Sequence, residues 1–339
     1  MCDFIQGLVS TIIPVYNRAG MIGASVQSVL DQTYRPIEII LVDDGSTDDT
    51  LAELNRLAEA HPDIIRVANR ENGGPGLARE TGRLLAKGEF IQYLDSDDLL
   101  LPRKYEVQVA ALREHPECGI AYGITRLTDF SGNVLSEKSK WTARQYDYLF
   151  PALLVDRWWH THTPLFRREL CDQIGPWPAW RNEDWEYEAR AGALRSRLIW
   201  CNEPVSVHRH HTGHRVTDRA PSGYILHEAW LVKRLFICAT QAGVPAACPE
   251  MKHFVRWAFS LARRLGAAGH MEEAAKLYDV ARQASDTKPS LDIRLVGWLA
   301  KIAGWKAIGA FEPFYSLCRR CTGARYTMPN SWKTQPARE

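Results

Sequence analysis

Apolar positions in the first hundred residues switch repeatedly between two periods. Leu8 to Pro14 (LVSTIIP) is a short apolar run ending at a proline, as a buried strand does. Ile22, Val26, Val29 and Leu30 then recur at helical spacing. Ile37 to Val42 is continuous and rich in β-branched residues, the pattern of a strand covered on both faces, and Asp43-Asp44-Gly45-Ser46 breaks it. Thr47 or Asp48 is placed to cap the next helix, whose inner face carries Leu51, Leu54 and Leu57. Ile64 to Val67 predicts a third strand and Pro75 to Lys87 a third helix. Glu89 to Leu94 predicts a fourth strand that stops at Asp95-Ser96-Asp97-Asp98. This alternation predicts an α/β domain with a mainly parallel sheet and helices on both faces. Ligands in such sheets sit beyond the carboxyl ends of the strands.

The pattern is more mixed from about residue 102 to 215. Helices are predicted over Arg103 to Glu114 and Asn182 to Leu194, and short strands over Gly119 to Leu127, Arg197 to Trp200 and Val205 to Val207. Trp141, Trp158, Trp159, Trp177, Trp180, Trp185 and Trp200 crowd this half. After Pro221 only helical patterns remain, and the stretch from Thr322 is polar and expected to be disordered. The organisation read from these changes is 1–100, 101–219, an all-helical 220–321 and a tail over 322–339. A helical-hairpin arm, GHMEEAAKLYDVARQAS, has no second copy at a fixed period.

Composition adds limits. Apolar residues make up 45% and charged residues 24%, an ordinary globular balance; the net charge of +2 argues neither for nor against a nucleic-acid partner, and none is expected. The eight cysteines are scattered, which suits a reducing, cytoplasmic setting better than a disulfide framework. Cys318 and Cys321 form a lone C-x-x-C that reads as incidental. No basic segment followed by an apolar run opens the chain, so no signal peptide is expected. No run of about 18 apolar residues suggests a spanning helix.

The chemistry gathers where strands stop. Asp43 and Asp44 follow one strand, and Asp95, Asp97 and Asp98 follow another. Clustered carboxylates repel one another, and burial adds to the cost. A divalent cation, Mn²⁺ or Mg²⁺, would offset this with one or two carboxylates and substrate phosphates as ligands. The plainer reading of Asp-Ser-Asp-Asp is a cap for a helix over Leu99 to Glu114.

Several segments in order carry a more specific signal: Ser10 to Asn17 (STIIPVYN), Val42 to Asp48 (VDDGSTD), Asn72 to Arg79 (NGGPGLAR), Ala86 to Asp98 (AKGEFIQYLDSDD) and Asn182-Glu183-Asp184-Trp185 with Arg190. Over about residues 8–215 the chain resembles glycosyltransferase family 2, whose members invert the anomeric centre and share the GT-A fold, a Rossmann-like, mainly parallel mixed sheet flanked by helices. The resemblance implies a nucleotide-sugar donor, UDP-linked, and a role in glycan or glycoconjugate biosynthesis. It implies that Pro14, Tyr16 and Asn17 edge the nucleotide pocket and that Asp44 bonds the base. Gly73 and Gly74 would let backbone approach the donor, and Arg79 would lie near the nucleotide or brace the acids. Asp95 and Asp97, with Ser96 between them, would be the Asp-x-Asp metal motif, with Asp98 beside them. Asp184 would be the catalytic base, with Glu183 and Trp185 near acceptor or sugar. From Val207-His208-Arg209-His210-His211, His211 is assigned to metal or diphosphate, with His208 and His210 as alternatives.

Glu80 stands where that family often has Asn, and a Gln-x-x-Arg-Trp motif is missing, so transfer of a single sugar is expected rather than processive synthesis. The expected acceptor is a lipid-linked sugar, a glycan, a protein or a small molecule. A non-catalytic nucleotide-sugar-binding or scaffold protein of the same fold is the alternative, against which the intact Asp95, Asp97 and Asp184 argue. Arg294 to Phe311 suits either a helix packed on the catalytic domain or peripheral contact with the inner face of a membrane.

Overall fold

A computed structural model describes residues 4–210, 224–285 and 290–310. The chain divides into two compact units, 1–149 with 157–214, and 150–156 with 215–339.

In the first unit, β1 (Ile5–Val15), α1 (Ile22–Leu30), β2 (Ile37–Asp43), α2 (Thr50–Ala60), β3 (Ile65–Asn69), α3 (Pro75–Leu85) and β4 (Gly88–Tyr93) alternate as the periodicity predicts. There follow β5 (Leu99–Leu100), α4 (Lys104–Glu114), β6 (Cys118–Asp129), β7 (Val134–Ser136), β8 (Leu165–Arg167), α5 (Arg168–Ile174), α6 (Glu183–Ala193) and β9 (Arg197–His210). One sheet runs β3-β2-β1-β4-β8-β6-β9-β5, with β7 at the side of β6. β1 pairs parallel with β2 and β4, and β8 joins β4 to β6 in antiparallel sense. The two halves divided at residue 100 on the sequence pattern therefore share one sheet. Val9, Ile13, Ile39, Leu41 and Phe90 are among the residues of its core.

The second unit contains α7 (Tyr224–Gln241), α8 (Pro249–Ala267), α9 (Met271–Ala284) and α10 (Leu291–Ala310), with a short 3-10 turn at Ala152–Leu154. Phe254, Leu261, Leu265 and Leu277 are buried within it. α10 is interrupted at Gly304, whose φ of 77° is outside the helical region.

Three local expectations change. Neither Thr47 nor Asp48 takes the N-cap position of α2, which falls to Asp49, while the Asp48 carboxylate accepts the Thr50 amide at 3.0 Å. Asp-Ser-Asp-Asp caps no helix, because Leu99 and Leu100 are drawn into a two-residue strand and the helix waits until Lys104. The strands expected at 197–200 and 205–207 are one long strand, and β8 with α5 was missed because each is too short to show a period. The tail over 322–339 and the Cys318/Cys321 pair lie outside the described residues.

Candidate active site

Two strand ends and two helix starts supply the site. β4 delivers Asp95 to Asp98 past its carboxyl end. The antiparallel clip of β5 on β9, Leu99 opposite Val207, sets Asp98 beside His208. Ser25 of α1 donates to the Ser96 carbonyl at 2.9 Å, and Arg209 Nε donates to the Asp97 carbonyl, so backbone contacts hold the acidic loop.

Asp98 is fully enclosed. Its carboxylate accepts the Arg209 amide at 2.9 Å and faces His208 Nδ1 at 3.1 Å and His162 Nδ1 at 2.9 Å. Burial opposes its ionisation, yet His162 and His208 outweigh it and hold the carboxyl far below the usual range. His160 stacks on His208 at 4.3 Å, and burial, reinforced by the other two imidazoles, pushes its own pKa well down. His162 Nδ1 stands off the line of a hydrogen bond, and its Nε2 has no hydrogen-bond partner. Among the described residues, Asp95, Asp98 and His162 bring donor atoms within 4.8 Å of one another. Two carboxylates and an imidazole with an unused buried nitrogen fit a divalent cation, and the imidazole favours Mn²⁺ over Mg²⁺. Asp97, half-buried, is not among the three.

The second half of the site is an ion-pair ladder. Arg79 on α3 is buried rather than on a helix surface. It reaches Asp95 at 2.6 Å and Glu183 at 2.8 Å, and its guanidinium lies 4.9 Å from the Trp177 ring centre. Arg157 touches Asp184 at 2.7 Å and Glu188 at 2.6 Å. Glu183 and Asp184 occupy the first turn of α6, where the helix dipole also favours acids. Both acids are ion-paired there, and Asp184 Oδ1 also accepts the Trp185 amide at 2.7 Å. The environment splits the acid pair. Burial and the Asp184 charge raise Glu183 against the pull of Arg79. For Asp184, burial is outweighed by Arg157 and then Arg79, so its carboxyl lies below the usual range. Two neighbouring carboxyls with opposite shifts are the arrangement that separates a base from a bystander.

This ladder revises the electrostatic argument for a cation. The repulsion among the acids is already met by Arg79, Arg157 and two histidines, so charge compensation alone does not demand a metal.

At the other strand ends, Asp44 accepts the Gly73 amide at 3.1 Å and the Gly74 amide at 2.7 Å, and also pairs with Arg70. It therefore organises the turn before α3, in which Gly74 has a φ of 93° that favours glycine. Pro14 is buried in β1 and Tyr16 is exposed just past it. Asn17, with φ 52°, accepts the Thr47 amide at 2.9 Å. Trp185 is half-buried. His210 is exposed at the end of β9, and His211 lies outside the described residues. Sequence reading missed Arg70, Arg157, His160, His162 and Glu188. Only His160-Thr161-His162 offered a visible sign, two imidazoles at strand spacing; Arg157 sits in an aperiodic loop.

Residues 10–175 match the family model described as Glycosyl transferase family 2. An uncharacterized glycosyltransferase of Haemophilus influenzae is 32% identical over 180 residues, 53% of this chain and 70% of that protein. Against three Rickettsia relatives the chain aligns over 38% of its length and spans only about a fifth of theirs. In fold it is similar to S. aureus TarS 1-349 in complex with UDP-GlcNAc, with a TM-score of 0.68 and 17% identity over 94% of this chain and 93% of that one. It is also similar to the mannosyltransferase PcManGT from Pyrobaculum calidifontis in complex with GDP-Man and Mn²⁺, with a TM-score of 0.51 and 21% identity over 94% and 88% of the two chains.

Proposed function

The chain belongs to glycosyltransferase family 2, and from that premise we propose that it moves a single sugar, with inversion, from a UDP-linked donor to an acceptor hydroxyl. The observation that carries this reading is the ladder Asp95–Arg79–Glu183 beside Asp184–Arg157–Glu188. It fixes an ionised carboxylate on α6 near the acidic end of β4. Inversion needs one in-line displacement. The acceptor O–H gives its proton to Asp184 as its oxygen bonds the anomeric carbon, and the bond from that carbon to the diphosphate breaks. Arg157 keeps Asp184 ionised and aimed, while Arg79 holds Asp95 and the start of α6 together.

Asp95, Asp98 and His162 would hold a divalent cation, with Asp97 in the same loop past β4. When bound, the cation neutralises charge on the departing diphosphate. The nucleotide would lie along Pro14, Tyr16, Asn17 and the Gly73-Gly74 turn, and Glu183 and Trp185 would border the sugar or acceptor. The UDP-GlcNAc and GDP-Man complexes of the two fold neighbours support a nucleotide-sugar donor, and the Mn²⁺ in one supports the cation. The acceptor belongs to glycan or glycoconjugate assembly.

The test is a panel of UDP- and GDP-sugars with Mn²⁺, read as nucleoside diphosphate released and as the anomeric configuration of the product. Mn²⁺-dependent turnover of a UDP-sugar with inversion is expected. Retention of configuration, or no donor accepted with either Mn²⁺ or Mg²⁺, would overturn the reading.

A further inference from the structure

The helical unit carries a feature that sugar transfer does not use. α10 is apolar on two opposite faces. One face is buried in its own unit: Ile293 is 3% exposed, Gly297 sits against the Tyr278 ring, and Tyr278 Oη donates to the Ile293 carbonyl at 3.1 Å. The other face leaves Leu291, Leu295, Trp298, Leu299 and Ile302 in solvent at 69, 51, 60, 42 and 66% exposure. At about 100° per residue these five fall within roughly 100° of the helix circumference, opposite Ile293. An apolar stripe on a helix is normally turned into a core. Here the bundle covers one face only. Elsewhere in the described part of this unit, the large exposed apolar residues are Tyr224, Ile237 and Met271, spread over two other helices.

Charge indicates the occupant. Arg294, Lys301 and Lys306 are exposed on the same helix, and Asp292 is the sole acid in the sequence from 290 to 308. Arg294 and Lys301 lie on one edge of the stripe, about 80–100° from Ile293. An apolar stripe bearing a tryptophan and edged by bases matches the headgroup–acyl boundary of an anionic bilayer, where apolar burial and electrostatic attraction add. Among the described residues no helix is long and apolar enough to cross a membrane, so the contact is interfacial.

We infer that the face of α10 formed by Leu291, Leu295, Trp298, Leu299 and Ile302 docks on the surface of an anionic phospholipid membrane. The inference is independent of the donor, acceptor and base assignments.

Co-sedimentation of the full chain with phosphatidylcholine vesicles, with and without phosphatidylglycerol, tests it. Wild type should partition onto the phosphatidylglycerol vesicles and be released by salt. Leu295→Glu with Trp298→Glu should weaken partitioning by about tenfold or more. Arg294→Glu with Lys301→Glu should abolish the preference for the anionic lipid. These residues are exposed, so unchanged circular dichroism and melting are expected and separate lost docking from lost folding. Wild type that ignores phosphatidylglycerol vesicles, or a stripe variant that binds like wild type, would overturn it. So would a wild-type dimer in sedimentation velocity that the stripe variant dissolves without any vesicle binding, since the face would then join two copies.

Discussion

At the residue scale the site turns on how Arg79 and Arg157 divide four acids between them, with a fifth held apart. Arg79 takes Asp95 and Glu183, Arg157 takes Asp184 and Glu188, and Asp98 is left to histidines. Asp184→Asn should lower kcat by about 10²–10⁴-fold, the usual worth of a positioned base, with little change in donor KM. Steady-state kinetics with a true acceptor check this, and retention of full transfer would remove Asp184 as the base. Arg157→Met acts through Asp184. Its carboxyl is held low against burial by Arg157 and Arg79, so removing Arg157 raises it, and the acidic limb of kcat/KM should move to higher pH. A pH–rate profile that falls in amplitude without moving would make Arg157 a packing residue only. The sign for folding follows from the same shift. A depressed carboxyl contributes stability above its unfolded value, and that contribution is lost as pH falls through the folded one. Acid unfolding of Arg157→Met should therefore depend less on pH near and below the ordinary aspartate range.

At the scale of elements, close approaches decide where these side chains meet. A Cβ on Gly76 would lie 2.1 Å from the Pro178 carbonyl and 3.1 Å from Glu183 Cγ, so α3 and the start of α6 touch only because residue 76 is glycine. Gly76→Ala must push backbone rather than a flexible side chain. It should cost about 1–3 kcal/mol in chemical denaturation, the range for overpacking, and reduce turnover beyond what the melting shift explains, because Glu183 and Asp184 move with that turn. The β5–β9 clip has the same standing. Two residues of strand pairing place Asp98 against His208. The periodic elements, β1 through β4 with α1 to α3, were legible because a half-buried helix or a doubly covered strand imprints its period on the chain. β8, α5 and β5 were not, since each repeats its period at most about twice, too few times to stand out.

At the scale of the molecule, one sheet carries the whole catalytic unit, so cation, donor and base sites should respond together. Mn²⁺ with UDP should raise the melting temperature more than either alone, because ligands that bind only the native state stabilise it by mass action, about 2.7 kcal/mol at 100 times Kd. Differential scanning fluorimetry checks this. Asp95→Ala should remove most of the Mn²⁺ effect, and a UDP shift unaltered by Mn²⁺ or by chelator would argue against the cation. His162→Ala separates the converging triad from the Asp-x-Asp pair: loss of the Mn²⁺ effect supports the triad, and its persistence alongside loss in Asp97→Ala supports the pair.

Order along the chain was enough to determine the alternating strands and helices, the acids at their carboxyl ends, and the Glu183-Asp184 pair at a helix start. Each is a local pattern, or a motif short enough to be read without neighbours. Only the tertiary structure decided what balances those acids. Arg79 lies 16 residues from Asp95 but 104 from Glu183, and Arg157 joins the site from a loop with no period. Such contacts are set by sheet order and helix packing, and nothing in the local sequence encodes their distance. For the same reason uncompensated charge does not support the proposed cation, whereas converging donors and a buried imidazole nitrogen do. The exposed face of α10 is likewise a tertiary fact, since its sequence is apolar on two opposite faces and only packing shows which of them the described bundle leaves uncovered.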